Sequence, residues 1–354
     1  MSTKNGLLIY GSYGYTGQLI CKHALAKGLK PVIAGRDEHK TKKQAQELGL
    51  DYLVFDLNNH KKVVENLKPF QVVLHCAGPF MYTSLPMINA CLEAKTHYLD
   101  ITGEYQVFEQ AYKMDDKAKA AEILLMPGVG FDVVPSDCLA AYLYKILPTA
   151  HSIELVLSQQ GGRLSQGTAI TVAENLGQPT MARRNGKLED FENGELVRTV
   201  NIDGENKQAV AISWGDIASG FRSTKVPNIT VYNTLPPKVI SSMKWSNYIG
   251  FILRNKWVKN RVINSIKKRP QGPSESERNS ASSVIWGEAK NLLGISKSVQ
   301  LNLPEGYTIT YLTAVDIARK VLTLTSVFGA KTPSQVFGCD YILQFEGVKR
   351  KDLS

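Results

Sequence analysis

The segment Gly11-Ser12-Tyr13-Gly14-Tyr15-Thr16-Gly17 places three glycines at three-residue intervals, directly after the apolar run Leu7-Leu8-Ile9-Tyr10. A strand that ends in such a loop and runs into a helix can build an anion site from backbone alone. The helix N-terminus offers unpaired N–H groups and a partial positive charge, which suits a pyrophosphate. Glycine is needed where the chain turns sharply or where a Cβ would block the phosphates. On this reading Gly11 makes the turn, Gly14 admits the phosphates and Gly17 lets helix pack on sheet. The spacing differs from the plain G-x-G-x-x-G, so the strand–loop–helix context carries the assignment. A structural turn without ligand is the competing reading.

The next strand ends Ala34-Gly35-Arg36, with Lys40, Lys42 and Lys43 close behind. Sites for NAD usually place a carboxylate here to hold the ribose hydroxyls. An arginine can instead clamp a 2′-phosphate in a bidentate way. The cofactor expected is therefore NADP, with NAD less favoured. Asp37 is the residue that could take the ribose role instead, and Lys42 and Lys43 also fit a solvated helix face. Asp56, ending the third strand, is placed either to meet the adenine amino group or to cap the next helix.

In such a site the nicotinamide supplies the hydride, and the protein supplies position, electrostatics and at most one proton. The candidates for that proton are Tyr82, Asp100, Glu104 and Asp132, with Tyr98 nearby in sequence. Asp100 and Glu104 flank Thr102-Gly103, where a carboxylate pair could raise one pKa. The alternative makes Glu104 a first-turn helix charge and Asp100 a carboxylate bound to backbone. His75 and His97 read as core residues beside strand ends. The cysteines and histidines lack ligand spacing, so no metal site is expected.

The elements that must position these residues follow from the hydrophobic pattern. Short apolar runs at 7–11, 30–36, 51–57, 70–78, 97–102 and 122–129 alternate with helical stretches at 15–28, 38–48, 59–67, 83–94 and 104–120. That alternation predicts βαβ units in a parallel sheet buried on both faces, a Rossmann-like doubly wound α/β domain. A helix is expected from Ser136 to Leu147. Beyond Ser152 the strands lengthen and alternate: 152–158, 195–202, 208–214, 228–234, 298–303 and 307–313. The pairs Asn185-Gly186, Asn193-Gly194 and Asp203-Gly204 mark hairpins. The expected organisation is a dinucleotide-binding domain over 1–135, then an α+β domain with a mostly antiparallel sheet over 136–330. The latter would serve substrate binding or dimerisation. A C-terminal segment, 331–354, is expected to pack back on the first domain.

Composition sets the remaining bounds. The 354 residues are 43% hydrophobic and 21% charged, enough apolar material for a core without disulfides or metals. Five cysteines, an odd number with no C-x-x-C pair, suit free thiols in a reducing compartment. With no targeting pattern at the N-terminus and no long apolar run, a cytoplasmic protein is expected, with peripheral membrane contact left open. The net charge of +10 favours anionic partners, yet no nucleic-acid-binding signature is present.

Several segments together resemble the saccharopine dehydrogenase-like oxidoreductases, the group that includes the trans-acting enoyl reductases. They are the glycine loop, Ala77-Gly78-Pro79-Phe80, and His97-Tyr98-Leu99-Asp100-Ile101-Thr102-Gly103-Glu104. Pro127-Gly128-Val129-Gly130-Phe131-Asp132 through Asp137 continues the likeness. It returns at 161–168, 272–278, 286–289 and 332–334. The resemblance implies an NAD(P)-dependent oxidoreductase in which Gly11 to Gly17, with Gly35 and Arg36, hold the phosphates. Ala77, Gly78, Pro79 and Phe80 would line the nicotinamide-ribose side. No tyrosine is followed four residues later by lysine, so the Tyr-x-x-x-Lys pair of short-chain dehydrogenases is missing.

In the second half, Gly161-Gly162-Arg163 leads through Ser165 to Gly167 and Thr168, a turn entering a helix. Arg163, Ser165, Gly167 and Thr168 are candidate contacts for a carboxylate or carbonyl oxygen, and a capping turn is the alternative. Residues 236–269 set Trp245, Tyr248, Phe251 and Trp257 among many Lys and Arg. Such a stretch can lie on a membrane, meet an acyl carrier, or pack in a core or dimer interface. The function expected is NAD(P)H-dependent hydride transfer to or from a C=C, C=N or C=O bond of an acyl or lipid-like substrate. A non-catalytic NADP-binding sensor or membrane-surface scaffold is the alternative.

Overall fold

The structure, a computed structural model, describes residues 6–353. Residues 1–5, on which the expectation about targeting falls, and residue 354 lie outside the described residues.

The chain opens with β1 (Leu7–Tyr10), α1 (Tyr15–Ala26), β2 (Val32–Gly35), α2 (Glu38–Leu48), β3 (Tyr52–Val54) and α3 (His60–Leu67). It continues with β4 (Val72–His75), α4 (Phe80–Ala94), β5 (His97–Asp100), α5 (Tyr105–Lys113), α6 (Asp115–Ala120) and β6 (Leu124–Met126). Strands β1, β4, β5 and β6 are buried along their whole length. Helices on both sheet faces require this, and the short apolar runs satisfy it.

There follow α7 (Val134–Ile146), β7 (Ala150–Gln160), α8 (Gln166–Glu174), β8 (Thr180–Arg184), β9 (Lys187–Phe191), β10 (Val197–Ile202) and β11 (Glu205–Ala211). Then come α9 (Asp216–Thr224), β12 (Asn228–Thr234), α10 (Pro237–Ser246), α11 (Gly250–Leu253), α12 (Lys256–Ile266) and α13 (Glu275–Asn279). The chain closes with β13 (Ser282–Asn291), β14 (Ser296–Pro304), α14 (Gly306–Val321), β15 (Gly329–Ala330), α15 (Pro333–Phe337) and β16 (Lys349–Asp352).

Two compact units result. One comprises 1–134 and 307–336, the other 135–306 and 337–354. The first holds a parallel sheet in the order β15-β6-β5-β4-β1-β2-β3. Strand order reverses between β1 and β4, the switch point at which open α/β sheets bind ligands. The second holds a nine-stranded sheet whose main path runs β10-β11-β12-β7-β13-β14-β16. Its pairings are antiparallel except β12 with β7. Asn185-Gly186 joins β8 to β9, and Asp203-Gly204 joins β10 to β11, the positive-φ pairs a tight hairpin needs.

Local expectations change at three places. Asn193-Gly194, read as a hairpin, lies between β9 and β10, which pair with β8 and β11 and not with each other. The helix read from Ser136 begins earlier, with Val134 and Pro135 in its first turn, where proline's missing N–H costs nothing. The larger correction concerns 307–313, read as a strand from its β-branched and aromatic alternation. It forms the start of α14. The residues buried there, Ile309, Thr313, Ile317 and Val321, recur at helical spacing. Thr313 Oγ1 donates to Ile309 O at 2.9 Å within the helix and lies 2.8 Å from Val129 O. Tertiary burial overrides the strand propensity of the local sequence. With α14, β15 and the start of α15, residues 307–336 belong to the first unit, whereas the sequence reading ran the second domain unbroken to 330. The final strand β16 pairs with β14 in the second unit.

Candidate functional site

The glycine loop closes β1 onto both of its neighbours. Gly11 has φ of 80°, and its N–H donates to Ala34 O at 2.8 Å, at the end of β2. A Cβ at Gly11 would stand 2.7 Å from Ala77, just past β4. The loop therefore packs against the 77–80 segment with no room for a side chain. A Cβ at Gly17 would stand 2.5 Å from Gly11 O, so α1 can meet the loop only through glycine. Gly14 is the N-cap of α1, and no side chain caps that end. Residues 13–16 are half-buried, so this helix start is open to a ligand.

Other loop residues turn inward or sideways. Ser12 is fully buried, and its carbonyl accepts from Gln44 Nε2 at 2.9 Å. Any contact from Ser12 to a ligand would be through backbone. Tyr13 lays its ring where a Cβ on Gly35 would be, 2.3 Å from Cε1. Lys40 Nζ lies 5.8 Å from the centre of the same ring. Tyr15 packs edge-on against Tyr307, centroids 5.1 Å apart, and Thr16 occupies the first turn of α1.

Arg36 is exposed at the end of β2. Asp37 is engaged as the N-cap of α2, accepting from Lys40 N at 3.0 Å with Lys40 Nζ at 3.4 Å. Backbone hydrogen bonding and the lysine hold its carboxyl below the usual range. The groups that could read an adenosine 2′-phosphate are thus cationic. Asp56 accepts from Asn58 N at 2.9 Å, whereas Asn59 caps α3. The capping alternative offered for Asp56 belongs to Asn59.

The carboxylates singled out in the sequence gather around the Thr102-Gly103 turn, at the carboxyl end of β5. Asp100 is fully buried and accepts from Tyr98 OH at 2.6 Å, Thr102 N at 3.0 Å and Gly128 N at 2.8 Å. Burial raises its pKa to about 6, against the lowering effect of these three donors. Glu104 is the N-cap residue of α5, yet its side chain serves another helix. It accepts from Phe80 N at 2.8 Å and Met81 N at 2.7 Å, the first N–H groups of α4. Asp132 is half-buried, with Oδ2 2.9 Å from where a Gly103 Cβ would stand. Tyr82 is 58% exposed on the first turn of α4.

His75 is enclosed at the end of β4. Its Nε2 lies 3.0 Å from Thr83 Oγ1, which in turn donates to Ala77 O at 2.7 Å. Burial lowers its pKa to about 3, so it is neutral at ordinary pH. His97 Nδ1 accepts from Leu124 N at 2.9 Å, tying β5 to β6. Gly78 is exposed, Pro79 half-buried and Phe80 buried. Gln44, which braces the glycine loop, and Glu104 as a cap for α4 were not visible in the sequence. The only signal for either is a polar residue on an otherwise apolar face or turn.

In the second unit, Arg163 Nη2 donates to Gly272 O at 2.9 Å and lies 3.4 Å from Glu277. Ser165 caps α8 by accepting from Thr168 N at 3.2 Å, and Gly167 lies in that first turn. The segments 161–168 and 272–278 thus meet. A cavity of about 520 Å³ opens elsewhere on this unit's sheet, lined by residues including Arg198, Trp286 and Gln300. The Arg198 guanidinium is taken up by Glu154 and Glu288 and lies over Trp286.

Residues 7–126 match the family model described as the saccharopine dehydrogenase NADP binding domain. That model covers about a third of this chain. The match covers β1 through β6, all of the open sheet's strands but β15, together with the glycine loop and Arg36, and it makes NADP the cofactor type of the domain. A saccharopine dehydrogenase-like oxidoreductase of Bos taurus is 29% identical over 177 residues, 44% of this chain and 41% of that protein. A trans-acting enoyl reductase of Mycobacterium leprae is 30% identical over 149 residues, 39% of this chain and 35% of that protein. The chain thus spans about two fifths of the length of the curated relatives it matches. The solved apo saccharopine dehydrogenase (L-Glu forming) of Saccharomyces cerevisiae superposes with a TM-score of 0.69. It covers 99% of this chain and 100% of its own at 10% identity, a likeness of fold.

Proposed function

We propose that this protein is an NADP(H)-dependent oxidoreductase of the saccharopine dehydrogenase-like type. The observation that carries the proposal is the bare N-terminus of α1, capped by Gly14 and by no side chain, beside an exposed Arg36. The N–H groups of residues 15–17 would hold the pyrophosphate, and the glycines leave the backbone accessible to it. Arg36 would clamp the 2′-phosphate, with Tyr13 and Lys40 forming the adjoining surface. Asp37 is committed to α2, which supports NADP over NAD at this position. Asp56 would lie toward the adenine end. Ala77, Gly78, Pro79 and Phe80 would line the nicotinamide side, because they follow β4 at the strand-order switch.

Bound there, the cofactor would supply the hydride. The chain's own share is placement and proton handling. Of the four acid–base candidates, Glu104 and Asp100 are engaged by backbone donors, so they are better suited to holding the 77–80 and 102–104 segments in place. Tyr82 and Asp132 are the more accessible candidates for a proton donor. Arg163, Ser165, Gly167 and Thr168 remain candidate substrate contacts, acting through the start of α8. The substrate class proposed is an acyl or lipid-like compound reduced at a C=C, C=N or C=O bond, as the relationship to trans-acting enoyl reductases suggests.

Stopped-flow absorbance of bound NADPH, run against enoyl, imine and ketone compounds, tests this. Oxidation by at least one class is expected. Tight NADPH binding with no oxidation by any class would instead fit a sensor.

A further inference from the structure

Residues 236–269 contain nine Lys and Arg and no Asp or Glu, against a net charge of +10 for the whole chain. The structure folds them as α10, α11 and α12. What these helices bury is small: Ile240, Gly250, Ile263 and Ile266. Ile263 and Ile266 pack on Ala173, and Val262, Ala169, Ile170 and Leu176 complete that cluster with α8. Asn247 anchors the α10–α11 turn by paired hydrogen bonds, accepting from Asn193 N and donating to Asn193 O, both at 3.0 Å. The aromatic side chains take no part in this. Trp245 is 73% exposed, Tyr248 77%, Phe251 71% and Trp257 67%, and Ile249 and Ile252 are exposed with them.

Exposed aromatics grouped this densely are unusual on a soluble surface and mark an interaction face. Charge decides what it meets. A second copy docking by the same face would set one all-cationic surface against another. An apolar protein groove would leave the cations unpaired. Trp and Tyr carry amphipathic rings that favour the headgroup level of a bilayer, and flanking Lys and Arg pair with anionic headgroups. We infer that helices α10 to α12 dock this protein on the surface of an anionic lipid bilayer, with Trp245, Phe251 and Trp257 entering the interface. The contact is peripheral: no described helix is long and apolar enough to cross a membrane. This inference rests on the second unit alone and does not depend on the oxidoreductase reading.

The test is co-sedimentation of the full chain with vesicles of phosphatidylcholine alone and of phosphatidylcholine with phosphatidylserine, with tryptophan emission as a second readout. Binding is expected only with phosphatidylserine, weakened by salt, with a blue shift from Trp245 and Trp257. Trp245→Ala with Phe251→Ala should weaken it at least ~10-fold, as should Lys256→Glu with Arg261→Glu. Far-UV circular dichroism and NADPH binding should be unchanged in both. Equal binding to both vesicles, no binding, or binding unaffected by both variants overturns the inference. So does a dimer that dissociates on Trp245→Ala.

Discussion

Two helices in the first unit begin just after neighbouring strands of one sheet, and their N-termini are treated in opposite ways. The start of α4 is filled from within, by the Glu104 carboxylate accepting from Phe80 N and Met81 N. The start of α1 is left without a side-chain cap, behind glycines that admit nothing of their own. Both ends carry the same partial positive charge. One neutralises it with the chain's own carboxylate, and so fixes the 77–80 segment. The other meets no side-chain cap, which suits the pyrophosphate proposed there. The same residue type, an acid near a helix start, thus has a structural role in one place and is absent by design of the sequence in the other.

The strongest way to break this comparison is to close the open end. In Gly17→Val a side chain must occupy space only 2.5 Å from Gly11 O, displacing the loop from α1. NADPH affinity should fall by more than ~100-fold in a fluorescence titration. Retained affinity would mean the phosphates bind elsewhere.

The filled end should fail differently, through stability. Asp100→Ala leaves Tyr98 OH, Thr102 N and Gly128 N without their buried acceptor, and should cost about 3 kcal/mol in urea unfolding. Asp100→Asn keeps an oxygen for the two N–H groups and should be far milder. It should also alter the pH profile. Asp100 is raised to about 6 from 3.8, so the folded state favours its protonated form. Its contribution to stability is full below pH 3.8 and lost as pH rises to about 6, on the order of 3 kcal/mol. That slope should vanish in Asp100→Asn. An unchanged slope would assign the titration to another group.

Glu104→Ala should cost less, about 2 kcal/mol, because the freed N–H groups of α4 can partly reach water. Glu104→Gln should recover about half by keeping one acceptor. If Glu104→Gln instead folds normally but loses turnover with NADPH binding intact, Glu104 acts on substrate rather than as a cap.

The sequence made the open end legible and the filled end illegible for one reason. A glycine-lined anion site is written in consecutive residues, because turn, approach and packing all fall within 11–17. The partner of the 80–81 backbone lies at Glu104, beyond a helix and a strand, where nothing local distinguishes a cap for α4 from a first-turn charge on α5. The capping roles of Asp37 and Asn59 were not resolved in the sequence for a related reason. Capping depends on where each helix starts to within one residue, which periodicity does not resolve. The strand assignment at 307–313 failed because threonine and tyrosine spacing there fits both periods, and only burial against Val129 and Gly130 selects helix. In the second unit, the hairpin pairs Asn185-Gly186 and Asp203-Gly204 were plain, whereas β13 was hidden. Trp286 and Gly287 belong to a strand covered on both sides, so no alternation shows.

We attribute the selection of a phosphorylated dinucleotide to the bare start of α1 and the cationic end of β2 together. Isothermal titration of NADPH and NADH into the wild-type protein and Arg36→Ala tests it most directly. NADPH should bind the wild type more tightly than NADH, and Arg36→Ala should lose about tenfold for NADPH with little change for NADH. Equal and weak binding of both dinucleotides to the wild type, or an equal loss of both in Arg36→Ala, would contradict it.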